Sequence, residues 1–247
     1  MLFSQQILEL IRNGIGETLC MVVISTVISY MIGIPLGIIL VVTDKEGIRP
    51  IPALQKVLGL IINLLRSVPF LILLIMMIPV TRKLVGTSLG WRAVVPPLVA
   101  SAAPYIARMV ESSFKEIDAG VIEAAKSMGA STFQIIWKVI LPESLPSLVA
   151  SFTTAFITIL GYGAMAGAIG GGGLGKIAIN YGDYKYNYAV MLIAVVFIVV
   201  LVQIFQSLGT SLATRTDHRI TNRAGRRKLR RNVSRQINRD KRSPGGM

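Results

Sequence analysis

Charge is what this chain has least of. Only 15% of its 247 residues are Asp, Glu, Lys or Arg, while 53% are hydrophobic and the mean hydropathy is +0.64. A soluble domain carries about a quarter charged residues, so an ordinary water-soluble globule is excluded and a bilayer protein is indicated. Cysteine is almost missing: Cys20 stands alone inside an apolar run, which rules out a disulfide framework within the chain and reads as a small packing residue. His218 is the one histidine, so no Cys/His zinc set can be assembled. Neither the spans nor the loops offer the convergent acids, bases or metal ligands that a membrane enzyme needs, and no catalytic residue, cofactor or metal is assigned. The start, Met1-Leu2-Phe3-Ser4, lacks the basic region of a signal peptide and the first apolar run is too long for one, so the first span is expected to be retained.

What is present is a set of long apolar segments. At the ~20 residues a bilayer requires, residues 18–42, 57–80, 148–169 and 189–208 are clear spans, and 93–107 is a weaker one that is short and holds Pro96, Pro97 and Pro104. Gly33, Pro35 and Gly37 predict a kink near the end of the first span, tolerable where neighbouring helices satisfy freed backbone groups. Five spans define an all-α integral membrane protein, divided into an external segment 1–17, a membrane domain 18–208 and a basic tail 209–247.

The basic residues orient it. With five spans, one side receives Lys45, Arg49, Lys56, Arg108, Lys115, Lys126, Lys138 and the twelve Lys/Arg from Arg215 onward, nineteen in all; the other receives Arg12, Arg82, Lys83, Arg92, Lys176 and Lys185. The positive-inside rule then places the N-terminus outside and the C-terminus in the cytoplasm of a cell membrane. From Arg215 to Met247 twelve basic and two acidic residues give net +10 of the chain's +14, so +4 remains for everything else. In a soluble protein such a tail would suggest nucleic acid; beside a membrane the simpler partner is anionic lipid, at ~1 kcal/mol per basic residue near the surface. Leu229, Val233 and Ile237 recur four apart, as a thin interfacial helix would require.

The loop between the third and fourth spans has a pattern of its own. Ile117, Val121, Ala124, Ala125 and Met128 recur at helical spacing, and Gly129 stands where a helix end calls for a left-handed residue. Ser131 and Gln134 form a capping box, after which Phe133, Ile136, Trp137, Ile140 and Leu141 make an apolar stripe that Pro142 is expected to interrupt. Two short amphipathic helices meeting at a sharp corner suit a partner protein; the alternative is a hairpin that packs only on its own spans.

The register of Glu123-Ala124-Ala125, Gly129, Val139, Leu141 and Pro142 resembles the signature loop of permease subunits of ATP-binding cassette importers of the type I, binding-protein-dependent kind. There a Glu-Ala-Ala triplet is followed at fixed distances by Gly and by an aliphatic-x-Leu-Pro ending; the usual Ile is Val139 here, one methylene smaller. Residues 14–19, Arg66-Ser67-Val68-Pro69-Phe70 and residues 170–175 add matches, so the resemblance spans residues 13–207 and leaves out the tail. It implies that the corner at Gly129, Ala130, Ser131 and Thr132 is a coupling helix seated in a groove of a separate ATPase subunit. Ala124 and Ala125 would keep the corner thin, Glu123 would pair locally or across subunits, and Leu141 and Pro142 would close the element. It further implies two ATPase copies, a second copy of this chain, and an extracytoplasmic binding protein or lipoprotein. Residues 78–82, 85–88, 102–111 and 161–165 look closely like the methionine-uptake branch, which implies import of methionine, its D-isomer and derivatives; a permease for another amino acid or small polar solute is the alternative. A self-contained secondary transporter would show inverted repeats and intramembrane ionisable residues, which the spans lack apart from Arg66.

Three further features bear on the path. Tyr162 and Met165 lie three apart on the fourth span, where an aromatic beside a thioether could line a route for a polarisable side chain. Gly170-Gly171-Gly172-Gly173-Leu174-Gly175-Lys176 mimics a nucleotide loop, but Ile177 stands where magnesium needs a hydroxyl and a membrane span precedes in place of a soluble strand. Close backbone packing or a gate-region turn at Gly172, Gly173 and Gly175 accounts for it better. Arg66 is the one ionisable residue deep in an expected span, where a charge costs at least ~2.5 kcal/mol; together with Pro69 it is given a structural or gating role, with snorkelling to the interface as the simpler reading.

Overall fold

The computed structural model describes residues 5–216, which form helices and no strand. α1 runs from Gln5 to Val42, through Pro35 without a break. Its inward face is built from small residues, Thr18, Ser25, Thr26, Ser29, Gly33 and Gly37, all buried. That face admits another backbone closely: a Cβ on Gly33 would lie 3.0 Å from the Ala103 carbonyl oxygen, and one on Gly37 2.8 Å from that of Ala107. Small residues four apart are what membrane helices use to approach each other, since apolar burial gives no advantage over lipid.

The second span differs from the uninterrupted 57–80 segment expected. α2 (Pro52–Ser67) and α3 (Phe70–Met76) are bent by 96°. The cause is local: Val68 precedes Pro69 and is forced out of the helical region, to φ −79° and ψ 122°. α4 (Ile78–Val85) then ends on Gly86 in the left-handed conformation. The weakest expected span becomes the centre of the molecule. α5 (Trp91–Lys115) overruns residues 93–107 at both ends and packs against α1, α2, α3, α4 and α8. Leu98, Ala102, Ile106 and Val110 recur four apart and are almost wholly buried. Its hydropathy is modest because it faces protein rather than lipid, and its prolines are tolerated because surrounding helices shield the freed carbonyls.

α6 (Ala119–Ser127) and α7 (Thr132–Ile135) form the corner. A π-helical turn, Ile136–Ile140, joins α7 to α8 (Leu141–Ala166), so the interruption expected at Pro142 does not occur. The apolar run is continuous over Thr132–Ile169, starting sixteen residues before the expected 148. Pro142 sits in the first turn of α8, where its missing N–H and bulk disturb least. A glycine loop leads to α9 (Gly173–Ile179), and α10 (Tyr188–Thr216) closes the chain against α8 and α9. Four helical runs are long and apolar enough to cross a bilayer, and the bent α2–α3 pair makes a fifth when it is counted as one span. Cys20 is exposed on α1 and is not the packing residue expected. The tail motifs after Thr216 lie outside the described residues.

Candidate functional site

The α6–α7 corner is set by its caps. Asp118 accepts a 2.7 Å hydrogen bond from the Gly120 amide and starts α6. The helix ends in a paired cap: Ala130 N–H donates to the Ala125 carbonyl at 3.1 Å and Gly129 N–H to that of Lys126 at 2.9 Å. This geometry needs Gly129 at φ +77°, while a Cβ there would meet nothing within 4 Å, so glycine is required by the backbone and not by space. One residue later the capping box is complete. Gln134 N–H donates to Ser131 Oγ at 3.3 Å, and Ser131 N–H to Gln134 Oε1 at 2.8 Å.

The apolar residues of the corner divide between two surfaces. Ala125, Ile135 and Ile140 are buried against the protein, while Val121, Met128, Phe133 and Trp137 are exposed, Met128 at 81%. The single stripe expected from Phe133 to Leu141 therefore splits, because the π turn rotates residues after Ile135 out of the 3.6 register. Phe133 and Trp137 stand together with ring centroids 5.9 Å apart. Of the sequence-assigned docking residues, Glu123, Ala124, Gly129, Ser131 and Pro142 are exposed, Ala130, Thr132 and Leu141 are half-buried, and Ala125 faces inward. The corner thus presents an exposed aromatic pair beside exposed Val121 and Met128.

Behind the corner lies an ionic network that the motifs did not reveal. Glu111, nearly buried, accepts from Arg108 at 2.6 Å and from Lys115 at 2.9 Å, and Lys115 also binds Asp44 at 2.7 Å. Arg108 Nη2 donates to the Gly59 carbonyl and to Asn63 Oδ1, each at 3.0 Å. Lys126 on α6 reaches the Gly47 carbonyl at 3.4 Å. α5 is thereby tied to α2, to the loop after α1 and, through that loop, to the corner. Lys115 holds the Asp44 carboxyl below its ordinary range, chiefly by their hydrogen bond. The signal was present as Arg, Glu and Lys at i, i+3 and i+7, but the expected span stopped at residue 107 and left them in a loop.

At the opposite end the glycine loop closes on α1. Gly173 N–H donates to Glu17 Oε2 at 2.7 Å and Leu174 N–H to Thr18 Oγ1 at 2.9 Å. Gly173 has φ +77°, a Cβ on Gly172 would lie 2.8 Å from the Trp91 amide nitrogen, and one on Gly175 would run into the Ala164 backbone. Glu17 thus has a role that no sequence argument assigned it. Tyr162 and Met165 are not brought together: Tyr162 stacks on Phe70 at 4.6 Å, whereas Met165 is 55% exposed. Arg66 ends α2 just before Pro69, with its guanidinium carbon 5.8 Å from the Tyr105 ring centre.

Residues 33–218 match the family described as binding-protein-dependent transport system inner membrane component. A Vibrio cholerae protein described as a probable D-methionine transport system permease, MetI, is 47% identical over 190 residues, which is 77% of this chain and 84% of that protein. The Escherichia coli K12 D-methionine permease MetI is 46% identical over 164 residues, 66% of this chain and 76% of its own. Among solved structures, a chain of an inward-facing MetNI methionine ABC transporter superposes with a TM-score of 0.85 at 44% identity, covering 87% of this chain and all of the other. A chain of an amino-acid ABC transporter with histidines, at 21% identity and a TM-score of 0.70, shares the fold.

Proposed function

This chain belongs to the binding-protein-dependent transport system inner membrane component family, and from that membership we propose that it is the membrane permease of an ATP-driven importer of methionine, including the D-isomer. The observation that carries the reading is the α6–α7 corner: the Glu-Ala-Ala register folds into a capped turn whose outward side chains, Met128, Phe133 and Trp137, are exposed among the described residues. The relatives' 46–47% identity to D-methionine permeases gives the substrate.

ATP is hydrolysed on a separate ATPase chain, two copies of which receive the corners of two permease copies. A binding protein delivers substrate at the glycine-loop end, the N-terminus lies outside, and the corner end is cytoplasmic, as the nineteen-to-six distribution of basic residues favours. The mechanism is mechanical. Closure of the ATPases displaces the corner, and the Lys126, Lys115 and Arg108 contacts carry that displacement to the loop after α1 and to α2, the element that meets the bent passage. Glu123 pairs with the ATPase surface, and the Gly172–Gly175 turn and Pro69 act in gating. Tyr162, with Phe70, and Met165 border the path.

Competition uptake tests the reading, in cells lacking other methionine carriers and expressing this permease with its ATPase and binding protein. Excess L- or D-methionine removes labelled methionine uptake, while lysine and glutamine do not. Displacement by lysine or glutamine alone would overturn the substrate and leave the permease assignment standing.

A further inference from the structure

Arg66 is a charge without an ion-pair partner among the described residues. Beside it is Tyr105, which lies about 21 Å along the axis from the Trp91 end of α5 and about 15 Å from the Lys115 end. Arg66 is exposed, and no described carboxylate comes within ion-pair distance of it. One turn away on the same α2–α5 seam, Arg108 shows the contrasting case: its charge is matched by buried Glu111, and its Nη2 donates to the Gly59 carbonyl and to Asn63 Oδ1. A guanidinium is disfavoured against acyl chains, so an exposed Arg66 on a membrane-crossing segment suits a face of α2 turned to water or a polar ligand.

None of the described acidic residues of a second copy is placed to supply the missing anion. Ten of its twelve acidic residues are among those described; nine lie toward one end of the bundle or the other, and the tenth, Glu111, is held by Arg108 and Lys115. The surroundings of Arg66 instead suit an amino acid. On α1, which packs against α5, the Tyr30 hydroxyl is buried without a hydrogen-bond partner. Across the α2–α3 break, four residues on, Phe70 is buried and stacks on Tyr162.

We infer that Arg66, with Tyr105 beside it, is a carboxylate-binding station on the translocation path, engaged by the α-carboxylate of the amino acid in transit. This rests on the importer reading of the chain. Guanidinium is suited to the task because it binds a carboxylate through two parallel N–H donors and keeps its charge at any physiological pH. The break after Ser67 leaves the station at the end of a helix, on a face no neighbouring helix covers.

The test uses the intact permease–ATPase complex without the binding protein, and two probes, methionine and methioninamide, which lacks the carboxylate. Wild type is expected to prefer methionine over methioninamide by tenfold or more in equilibrium competition. Arg66→Gln should bring that ratio near unity, and Arg66→Lys should keep part of it. A separate readout uses the chain's single cysteine: in a Cys20→Ser background, Arg66→Cys should react with a charged, membrane-impermeant thiol reagent. An unchanged preference in Arg66→Gln, absence of thiol modification, or loss of ATPase association in both Arg66 variants would overturn the station, the last by making Arg66 a packing residue. If wild type ignores methionine but distinguishes another amino acid from its amide in an Arg66-dependent way, the substrate reading fails and the station stands.

Discussion

Glu111 compensates two cations at once, and its side chain is only 7% exposed. Removing one partner of a buried ion pair leaves uncompensated charge and costs about 3–5 kcal/mol, whereas removing both costs much less. Glu111→Gln is therefore expected to destabilise the permease by about 3 kcal/mol, the low end of that range because Lys115 is half in solvent. Thermal unfolding in detergent should show it, and Arg108→Gln in the same chain should recover part of the loss. A double variant no more stable than Glu111→Gln would contradict the pairing. Asp44 gives the network a pH dependence of known sign. Its folded pKa lies below the ordinary carboxylate value, so its contribution is complete above about pH 4 and fades only as pH falls through the lowered value. Hydrogen exchange over residues 43–51, corrected for intrinsic rates, should not change between pH 7 and 5 and should rise below about pH 4.

At the scale of elements, the corner depends on one backbone conformation and one surface. Gly129 has φ +77° with open space where a Cβ would project. Asn, which tolerates the left-handed region, should retain most ATP-driven uptake at this site; β-branched Val should lose stability by about 1–2 kcal/mol, and Asp should insert but fail to couple because its charge enters the docking surface. Co-purification of the ATPase with each variant, together with uptake, distinguishes these, and normal uptake by Gly129→Asp would sink the docking assignment. This corner was the most legible part of the sequence, since caps and left-handed glycines act through neighbouring residues: Ser131, Gln134 and Gly129 do what their spacing indicated. The spans were legible in number and less so in form. α5 looked weak because protein, not lipid, surrounds it, and the α2–α3 bend was hidden in a continuous apolar run although Pro69 carried its cause. The Glu17–Gly173 contact joins residues 156 apart in sequence, a distance over which no local pattern carries information.

The whole molecule is longer than the MetNI permease chain on which it superposes, since the superposition covers all of that chain but 87% of this one. The family match ends at residue 218, and the extension beyond it, with eleven basic residues and one acid, holds the whole of the net +10 carried from Arg215 onward. The docking corner, the ionic struts and the glycine turn are complete before that point, so transport should not require the extension. Removing residues 226–247 is expected to leave methionine uptake within about twofold of the full chain. If the tail instead adheres to the cytoplasmic leaflet, each basic residue near an anionic surface contributes ~1 kcal/mol, and that attraction decays within ~8 Å at physiological ionic strength. A peptide of residues 217–247 should then bind vesicles containing anionic lipid and not neutral ones, with affinity falling steeply as salt is raised. Binding that ignores salt would refute the electrostatic account, and loss of uptake on truncation would show that this permease has made its extension part of the transport cycle.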